Sequence, residues 1–336
     1  MTIKVALLGA GRMGCVHAAH LAAMPGVEVA LVADPDPEAA RRAGQLARSQ
    51  RVSADPLAAL DEPGLDAALV ATPTPTHAAY VRRAAGRGLA VFCEKPVALD
   101  LGETLQVHEL LRRSALPFQI GFQRRFDPGY REAKRRLEAG QLGQLEQFRS
   151  VGRDPEPPPL AYLRGSGGIF LDQAVHEFDL ARYLVGEVEQ LQAFGAVRVD
   201  PRIAELGDVD TAITVLRFRD GTLGVIENSR RAVYGYDVRT ELFGSLGKLV
   251  VEALPKTPLL AFGEGGVVQD HYWFFVDRFK EAARLELEAF FLALQQGRPP
   301  SPDVEDALQA LRLALAARRS QQEVRPVSLS EIPGAP

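Results

Sequence analysis

Ile3-Lys4-Val5-Ala6-Leu7-Leu8 runs straight into Gly9-Ala10-Gly11-Arg12-Met13-Gly14, and no other feature of the chain narrows its fold so far. The first run has the nearly unbroken apolar character of a parallel strand buried on both faces. The glycines then give a tight turn, a close backbone approach and a close helix–strand contact. A helical pattern over residues 13–24 and a second strand over 27–33 follow, and Asp34 stands twenty positions past Gly14. Strand, GxGxxG, helix, strand and acid together make a dinucleotide fingerprint, with the pyrophosphate expected at the helix N-terminus. Gly9, Gly11, Arg12, Met13, Gly14 and Asp34 are the expected cofactor contacts.

Asp34 has two readings. A carboxylate at the end of the second strand accepts the ribose hydroxyls of NAD and repels the 2′-phosphate of NADP. It also suits a cap on the turn Asp34-Pro35-Asp36-Pro37, and the two uses are compatible. NAD is the favoured cofactor; Arg12, Arg41 and Arg42 keep NADP open by offering guanidinium partners for the phosphate.

The α/β alternation continues with a helix start at 53–55, a strand over 66–71, a helix over 78–87, a strand over 89–93, a helix over 101–113 and a strand over 118–121. Thr72-Pro73-Thr74-Pro75-Thr76-His77 reads as an extended loop at the C-terminal edge of the sheet, where such folds bind ligands. Thr72 and Pro73 are therefore expected at the cofactor. His77 either flanks the nicotinamide end or begins a helix. His17, His20 and His108 fall on helical stretches as surface or half-buried residues, and His271, beside Tyr272 and Trp273, as a packing or capping residue. A Rossmann domain, a doubly wound parallel sheet, is predicted over residues 1–121.

At 336 residues the chain is long enough for two domains. A 46% hydrophobic and 24% charged composition is that of a soluble globular protein, and a net charge of −4 argues against nucleic acid as a partner. Two cysteines, Cys15 and Cys93, form no CxxC or disulfide framework and fit a reducing compartment. A strand begins almost at Met1, leaving no room for a signal peptide, and no apolar run approaches a membrane span. A cytoplasmic location is expected.

The second half, residues 122–336, changes character. Runs at 143–150, 188–198, 210–218, 223–228, 238–243 and 248–251 read as strands, several joined by tight turns such as Asp220-Gly221. Helices are expected at 129–140, 171–184, 277–296 and 304–322. The pattern predicts an α+β domain built on a large, mostly antiparallel sheet. The proline stretch 154–159 suits a substrate-side flap, and the residues after Leu329 a frayed end.

Two places in this frame carry candidate chemistry. Lys95, in Glu94-Lys95-Pro96 just past a strand, reads either as a surface lysine at a turn or as a cation steadying a developing alkoxide. The proline stiffens that turn and suits a cis bond. Asp172 and His176 follow Gly167-Gly168 at i and i+4, with Asp179 at i+7, so one helix face carries all three. Such a stripe is ordinarily a solvated face; here the fingerprint upstream favours an imidazole oriented by a carboxylate for proton transfer. HxxxH and HExxH spacings are missing, and no metal is expected.

The order GxGxxG, Thr-Pro-x-x-x-His, Glu-Lys-Pro and Gly-Gly-x-x-x-Asp-x-x-x-His resembles the glucose–fructose oxidoreductase/inositol dehydrogenase family over nearly the whole chain. Gly121-Phe122-Gln123-Arg124-Arg125-Phe126-Asp127-Pro128 and Arg231-Ala232-Val233-Tyr234-Gly235-Tyr236-Asp237 look like the inositol 2-dehydrogenase branch. The resemblance implies that the second domain is open-faced and forms dimers or tetramers through its sheet. It makes Lys95, Asp172 and His176 catalytic and adds Glu94 and Lys95 to the cofactor contacts. Arg124 becomes a substrate residue beside Lys95, Asp172 and His176. One of Tyr234 and Tyr236 joins them; strand parity does not choose between the two.

The activity so implied is NAD-dependent oxidation of a secondary hydroxyl of a cyclic polyol, above all an inositol. Alternatives are a sugar dehydrogenase or keto-sugar reductase of the same family, and a non-catalytic nucleotide sensor. Segment 150–155 departs from the inositol enzymes, which tend to carry a histidine there.

Overall fold

The computed structural model describes residues 2–334. The chain divides into two compact units, one taking in residues up to Gln123 together with Ala282–Gln309, the other Arg124–Glu281 and Ala310–Pro333. The first division thus falls two residues past the expected 121/122 boundary. The segment 282–309 groups with the N-terminal unit rather than with the half it follows.

In the first unit the elements alternate: β1 (Ile3–Leu8), α1 (Arg12–Leu21), β2 (Val27–Ala33), α2 (Pro37–Ala47), β3 (Val52–Ser53), α3 (Pro56–Ala59), β4 (Ala67–Val70), α4 (Thr74–Gly86), β5 (Ala90–Glu94), α5 (Leu101–Ser114) and β6 (Phe118–Gly121). The six strands pair in parallel in the order β3-β2-β1-β4-β5-β6. Strand order reverses at β1, so the ends of β1 and β4 form the crevice where this doubly wound topology takes its ligand.

Small residues let helices lie close to the sheet: α2 buries Ala39, Ala40, Ala43, Gly44 and Ala47. Val5, Leu7, Val29, Leu69 and Phe92 form the core with Leu287, Phe290 and Phe291 from the returning segment. Helix α4 begins at Thr74 rather than after an extended 72–77 loop. Pro75 does not prevent this, because a first-turn N–H has no intrahelical acceptor to lose.

The second unit contributes α6 (Pro128–Glu138), β7 (Leu145–Arg153), α7 (Leu160–Ser166), α8 (Ile169–Asp172), α9 (Val175–Leu184), β8 (Val188–Ala196), β9 (Thr211–Phe218), β10 (Leu223–Ser229), β11 (Asp237–Gly244), β12 (Gly247–Val251), β13 (Pro255–Gly263), β14 (Gly266–His271) and α10 (Phe275–Arg278). After α11 (Lys280–Gln295) come α12 (Val304–Glu323) and β15 (Val327–Ser328). Its main sheet runs β12-β11-β7-β10-β9-β8-β15, antiparallel except for the β7–β10 pair.

Alternation is clean along β9, where Ala212, Thr214, Leu216 and Phe218 are buried and Ile213 and Val215 face outward. Period-two burial of this kind marks a sheet with one packed and one open face. On the open face Phe194 stands opposite Ile213 and Val225 opposite Val215.

Several local expectations change. The helix expected over 171–184 breaks at Gln173-Ala174 into α8 and α9, and the one over 277–296 becomes α10 and α11. The β13–β14 hairpin and α7 went unread, because neither has a strong period. The end expected to fray after Leu329 forms a short helical turn with a Ser328–Glu331 capping box. Arg312 fastens that turn by donating to the Leu329 and Ile332 carbonyls, both at 2.7 Å. Residues 335–336 lie outside the description. No described helix is long and apolar enough to cross a membrane.

Candidate active site

At Gly9 and Gly14 the glycine-rich loop is shaped by contacts that exclude any side chain. A Cβ on Gly14 would fall 2.0 Å from the Gly9 carbonyl oxygen, and one on Gly9, whose φ is +91°, would fall 2.4 Å from the Ala71 oxygen. Gly11 faces open space, with no atom within 4 Å of a Cβ built there. It precedes α1, begun by Arg12 and Met13, and no side chain caps that helix. An uncapped helix N-terminus behind bare backbone is what a dinucleotide pyrophosphate requires, so the loop fits NAD.

Of the two uses expected of Asp34 the structure shows the turn cap, and it adds a brace to the glycine loop. The carboxylate accepts from the Ala10 N–H at 2.7 Å and from the Asp36 N–H at 2.9 Å, bracing the loop and capping the turn together. Thr72 and Pro73 lie at the end of β4 and the start of α4, where the Thr76 hydroxyl bonds to both, to Thr72 Oγ1 at 2.7 Å and the Pro73 carbonyl at 2.8 Å.

Lys95 follows β5, half-buried, in a turn with a cis Lys95–Pro96 bond. Its neighbours are held by histidines. Nε2 of His17 lies 2.7 Å from Glu94 Oε1. Nδ1 of His77 lies 2.7 Å from the Pro96 carbonyl oxygen and its Nε2 2.7 Å from that of Thr72. His17 is 0% exposed and His108, 2.7 Å from Glu305, is also buried, so neither is the surface or half-buried residue expected from helical spacing. An acidic partner makes such burial affordable, and sequence spacing does not reveal partners this remote.

In the second unit the Asp172 carboxylate is gripped from two sides. The Tyr162 hydroxyl donates to Oδ1 at 2.8 Å and Arg230 Nη1 donates to Oδ2 at 3.2 Å. Arg230 is 0% exposed. Tyr162, with burial as the main cause and the Asp172 charge behind it, is driven above the usual phenol range and remains a donor.

His176 is half-buried on the first turn of α9. Gln173, at the break between α8 and α9, donates to the Gly152 carbonyl at 3.2 Å and the Ser229 carbonyl at 3.1 Å, stitching that break to the ends of β7 and β10. The stripe expected on one helix face is divided, Asp172 ending α8 while His176 and Asp179 lie on α9, and it is no solvated face. Asp179 is buried in an ion pair with Arg125 at 2.6 Å.

Arg124 and Arg125, adjacent in a short helical turn, reach two different acids on α9. Arg124 pairs with Glu177, which is 0% exposed and accepts from Asn228 Nδ2 at 3.1 Å. Burial pulls the Arg124 guanidinium down, but the Glu177 charge and hydrogen bond, together with Tyr236 and Tyr130, more than reverse that and leave it above its usual range. Glu177 was missed by sequence reasoning; the signal was the Arg-Arg pair, which needs two acids once buried.

Gly152 makes the arrangement possible, since a Cβ there would fall 2.4 Å from Glu177 Oε1. Room for Glu177 thus stands in segment 150–155.

The tyrosines separate by environment. Neither lies in a strand, since β11 starts only at Asp237, so strand parity has no bearing. Tyr236 is buried, with its hydroxyl 3.5 Å from Arg124 Nη2. Tyr234 is 51% exposed and donates to Asp237 at 2.7 Å.

One further acid belongs here. Burial, reinforced by Asp172 and Glu177 and opposed by Arg230 and Arg124, pushes the Asp154 carboxyl up to about 7. Arg230, Asp154 and Tyr162 were not among the expected residues, because only their folded neighbourhood distinguishes them.

Residues 3–122 match the family described as "Oxidoreductase family, NAD-binding Rossmann fold", and residues 130–250 match the GFO/IDH/MocA C-terminal domain. The chain is 39% identical to the myo-inositol 2-dehydrogenase of Thermotoga maritima, over 99% of this chain and 100% of that protein. It is 37% identical to an inositol 2-dehydrogenase of Rhizobium meliloti, over 98% and 100%. A crystal structure of scyllo-inositol dehydrogenase from Lactobacillus casei, with bound NAD(H) and scyllo-inositol, superposes with a TM-score of 0.92 at 28% identity, covering 98% of this chain and 100% of that one.

Proposed function

From the premise that this chain belongs to the GFO/IDH/MocA oxidoreductase family, we propose that it oxidises a secondary ring hydroxyl of an inositol to the ketone, using NAD. Relatives and structural neighbours named for inositol dehydrogenation support the substrate class. The observation that carries the chemistry is the Asp172 carboxylate, fixed by Tyr162 and Arg230 four residues before His176.

His176 takes the hydroxyl proton as the C–O bond gains double-bond character. Asp172 orients the ring and balances the imidazolium charge, and a carboxylate already bonded on both oxygens does so without reorganising. Lys95 steadies negative charge on the substrate oxygen. Arg124 and Tyr236 stand as the substrate-side residues, Tyr236 preferred over Tyr234 for its place beside Arg124. When bound, NAD supplies the acceptor for the hydride leaving the carbinol carbon. Gly9, Gly11, Arg12, Met13 and Gly14 would hold its pyrophosphate, and Asp34 its ribose, with Thr72, Pro73 and Glu94 at the nicotinamide side; His77, buried with both ring nitrogens against carbonyls, stands behind them.

The reading extends to assembly and location. The outward apolar residues Phe194, Ile213, Val215 and Leu223 on one sheet face suit a homo-oligomer, a dimer or tetramer joined through that sheet. Cys15 and Cys93 are free thiols, in keeping with the cytoplasm. The test of function is a panel of inositol isomers and sugars with NAD and NADP, followed by NADH absorbance. Turnover of an inositol with NAD is expected; turnover confined to non-cyclic or sugar substrates would overturn the inositol reading.

A further inference from the structure

Lys95 is flanked by two residues that are each anchored from a different helix. On one side the Glu94 carboxylate lies 2.7 Å from His17 Nε2 of α1. It fills the room left by Gly121, where a Cβ would stand 3.0 Å from Glu94 Oε2. On the other side the Pro96 carbonyl lies 2.7 Å from His77 Nδ1 of α4, whose Nε2 faces the Thr72 carbonyl at the end of β4. The two histidines are 0% and 1% exposed.

Packing alone does not account for these choices. A buried acid–imidazole pair is no more stabilising than well-packed apolar residues of similar volume. The His17 ring already stacks edge-on against Phe92 at 5.5 Å, a contact that a leucine would also make. What the polar pair adds is direction. Burial pushes the Glu94 carboxyl up, but the His17 hydrogen bond and the charges of His17 and Lys95 outweigh it and hold it below its usual value. Glu94 is therefore a fixed anion next to the lysine, while His77 fixes the backbone just beyond it.

We propose that His17 and His77 are positioning residues that together aim the Lys95 ammonium, His17 through the Glu94 carboxylate and His77 through the Pro96 carbonyl. The proposal rests on the role given to Lys95 above. A lysine has four rotatable side-chain bonds, and a small misplacement of a charge-stabilising group costs on the order of a hundredfold in rate. Bracing both neighbours limits that misplacement before substrate arrives.

The test compares His17→Leu, His77→Leu, His17→Gln and Lys95→Met. Each leucine variant is expected to lower kcat by roughly ten- to a hundredfold, with the polyol KM and NAD Kd changed by less than about threefold. Glutamine at 17 retains an N–H able to reach Glu94 and should recover most of the rate. Independently of turnover, the His17 ring N–H in ligand-free, 15N-histidine-labelled protein should exchange slowly with water, and Glu94→Gln should shift its resonance.

If Lys95→Met is inactive while the leucine variants turn over normally, this inference falls and the lysine role stands. If Lys95→Met turns over normally, the lysine role falls and takes the inference with it. Should leucine prevent folding, the glutamine variant and the exchange measurement decide: an unrescued rate with a fast-exchanging proton indifferent to Glu94→Gln overturns the proposal.

Discussion

The two units hold their candidate site residues by different means. In the first, the glycine loop is set by missing side chains and backbone bonds: Gly14 against the Gly9 carbonyl, and Ala10 tied to Asp34. In the second, charged side chains hold one another out of water: Arg124 with Glu177, Arg125 with Asp179, Arg230 with Asp172 and Arg278 with Asp127. Backbone shape suits a ligand recognised by its phosphates. Buried charge suits an alcohol whose proton must be moved, since fixed charges act most strongly where water is excluded. Cofactor affinity should then follow the glycine loop, and the pH response the buried charges of the second unit.

The largest expected effect separates these roles. His176→Ala should lower kcat by about 10²–10⁴-fold while NAD Kd stays within about twofold; equal activity in steady-state assays would sink the assignment. Next comes Glu177→Ala, which strands the Arg124 charge in the interior. Removing one partner of such a pair costs about 3–5 kcal/mol. A fall of about 10 °C or more in Tm is expected by calorimetry. A Tm within a degree of wild type would show that buried charge is not what secures this unit.

Gly14→Ala should act on the other side of the contrast, weakening NAD binding at least about tenfold, or ~1.4 kcal/mol. Titration calorimetry would read this directly, and unaltered affinity would break the case for a shape-built cradle.

The smallest effect concerns Asp154. Its folded pKa of about 7 lies above an unfolded value of about 3.9, so protonation favours the fold. That contribution is complete below about pH 4 and disappears as pH rises through about 7. Asp154→Asn should raise Tm by about 2–4 °C at pH 8, as for roughly 1 kcal/mol in a unit of this size, and by little at pH 4. A pH-independent difference would refute the buried-acid picture.

The same contrast explains which features were legible in the sequence. The parallel sheet and its loop were readable because glycine spacing and strand periodicity are local constraints, satisfied within a few residues of Gly9. Asp172 and His176 were singled out by spacing and family pattern. Glu177, Arg230 and Tyr162 were not, because what distinguishes them is a partner across the fold: Tyr162 and Arg230 meet at Asp172 from positions 68 residues apart in sequence. His17 was misjudged for the same reason, since its partner Glu94 lies 77 residues away. The break at Gln173 was hidden because its cause, two carbonyls at strand ends, is tertiary. Helix α4 was placed late because Pro75 was weighed as a breaker rather than as a first-turn residue.

The tether from Ala10 to Asp34 has an evolutionary consequence. If the carboxylate proposed to hold the ribose also props up the nest beside it, its loss would slacken the receptor as it relaxed selectivity. A descendant drifting toward the phosphorylated coenzyme must replace the acid and re-anchor the Ala10 amide in concert. Retuning here takes paired substitutions, and single-step drift is penalised.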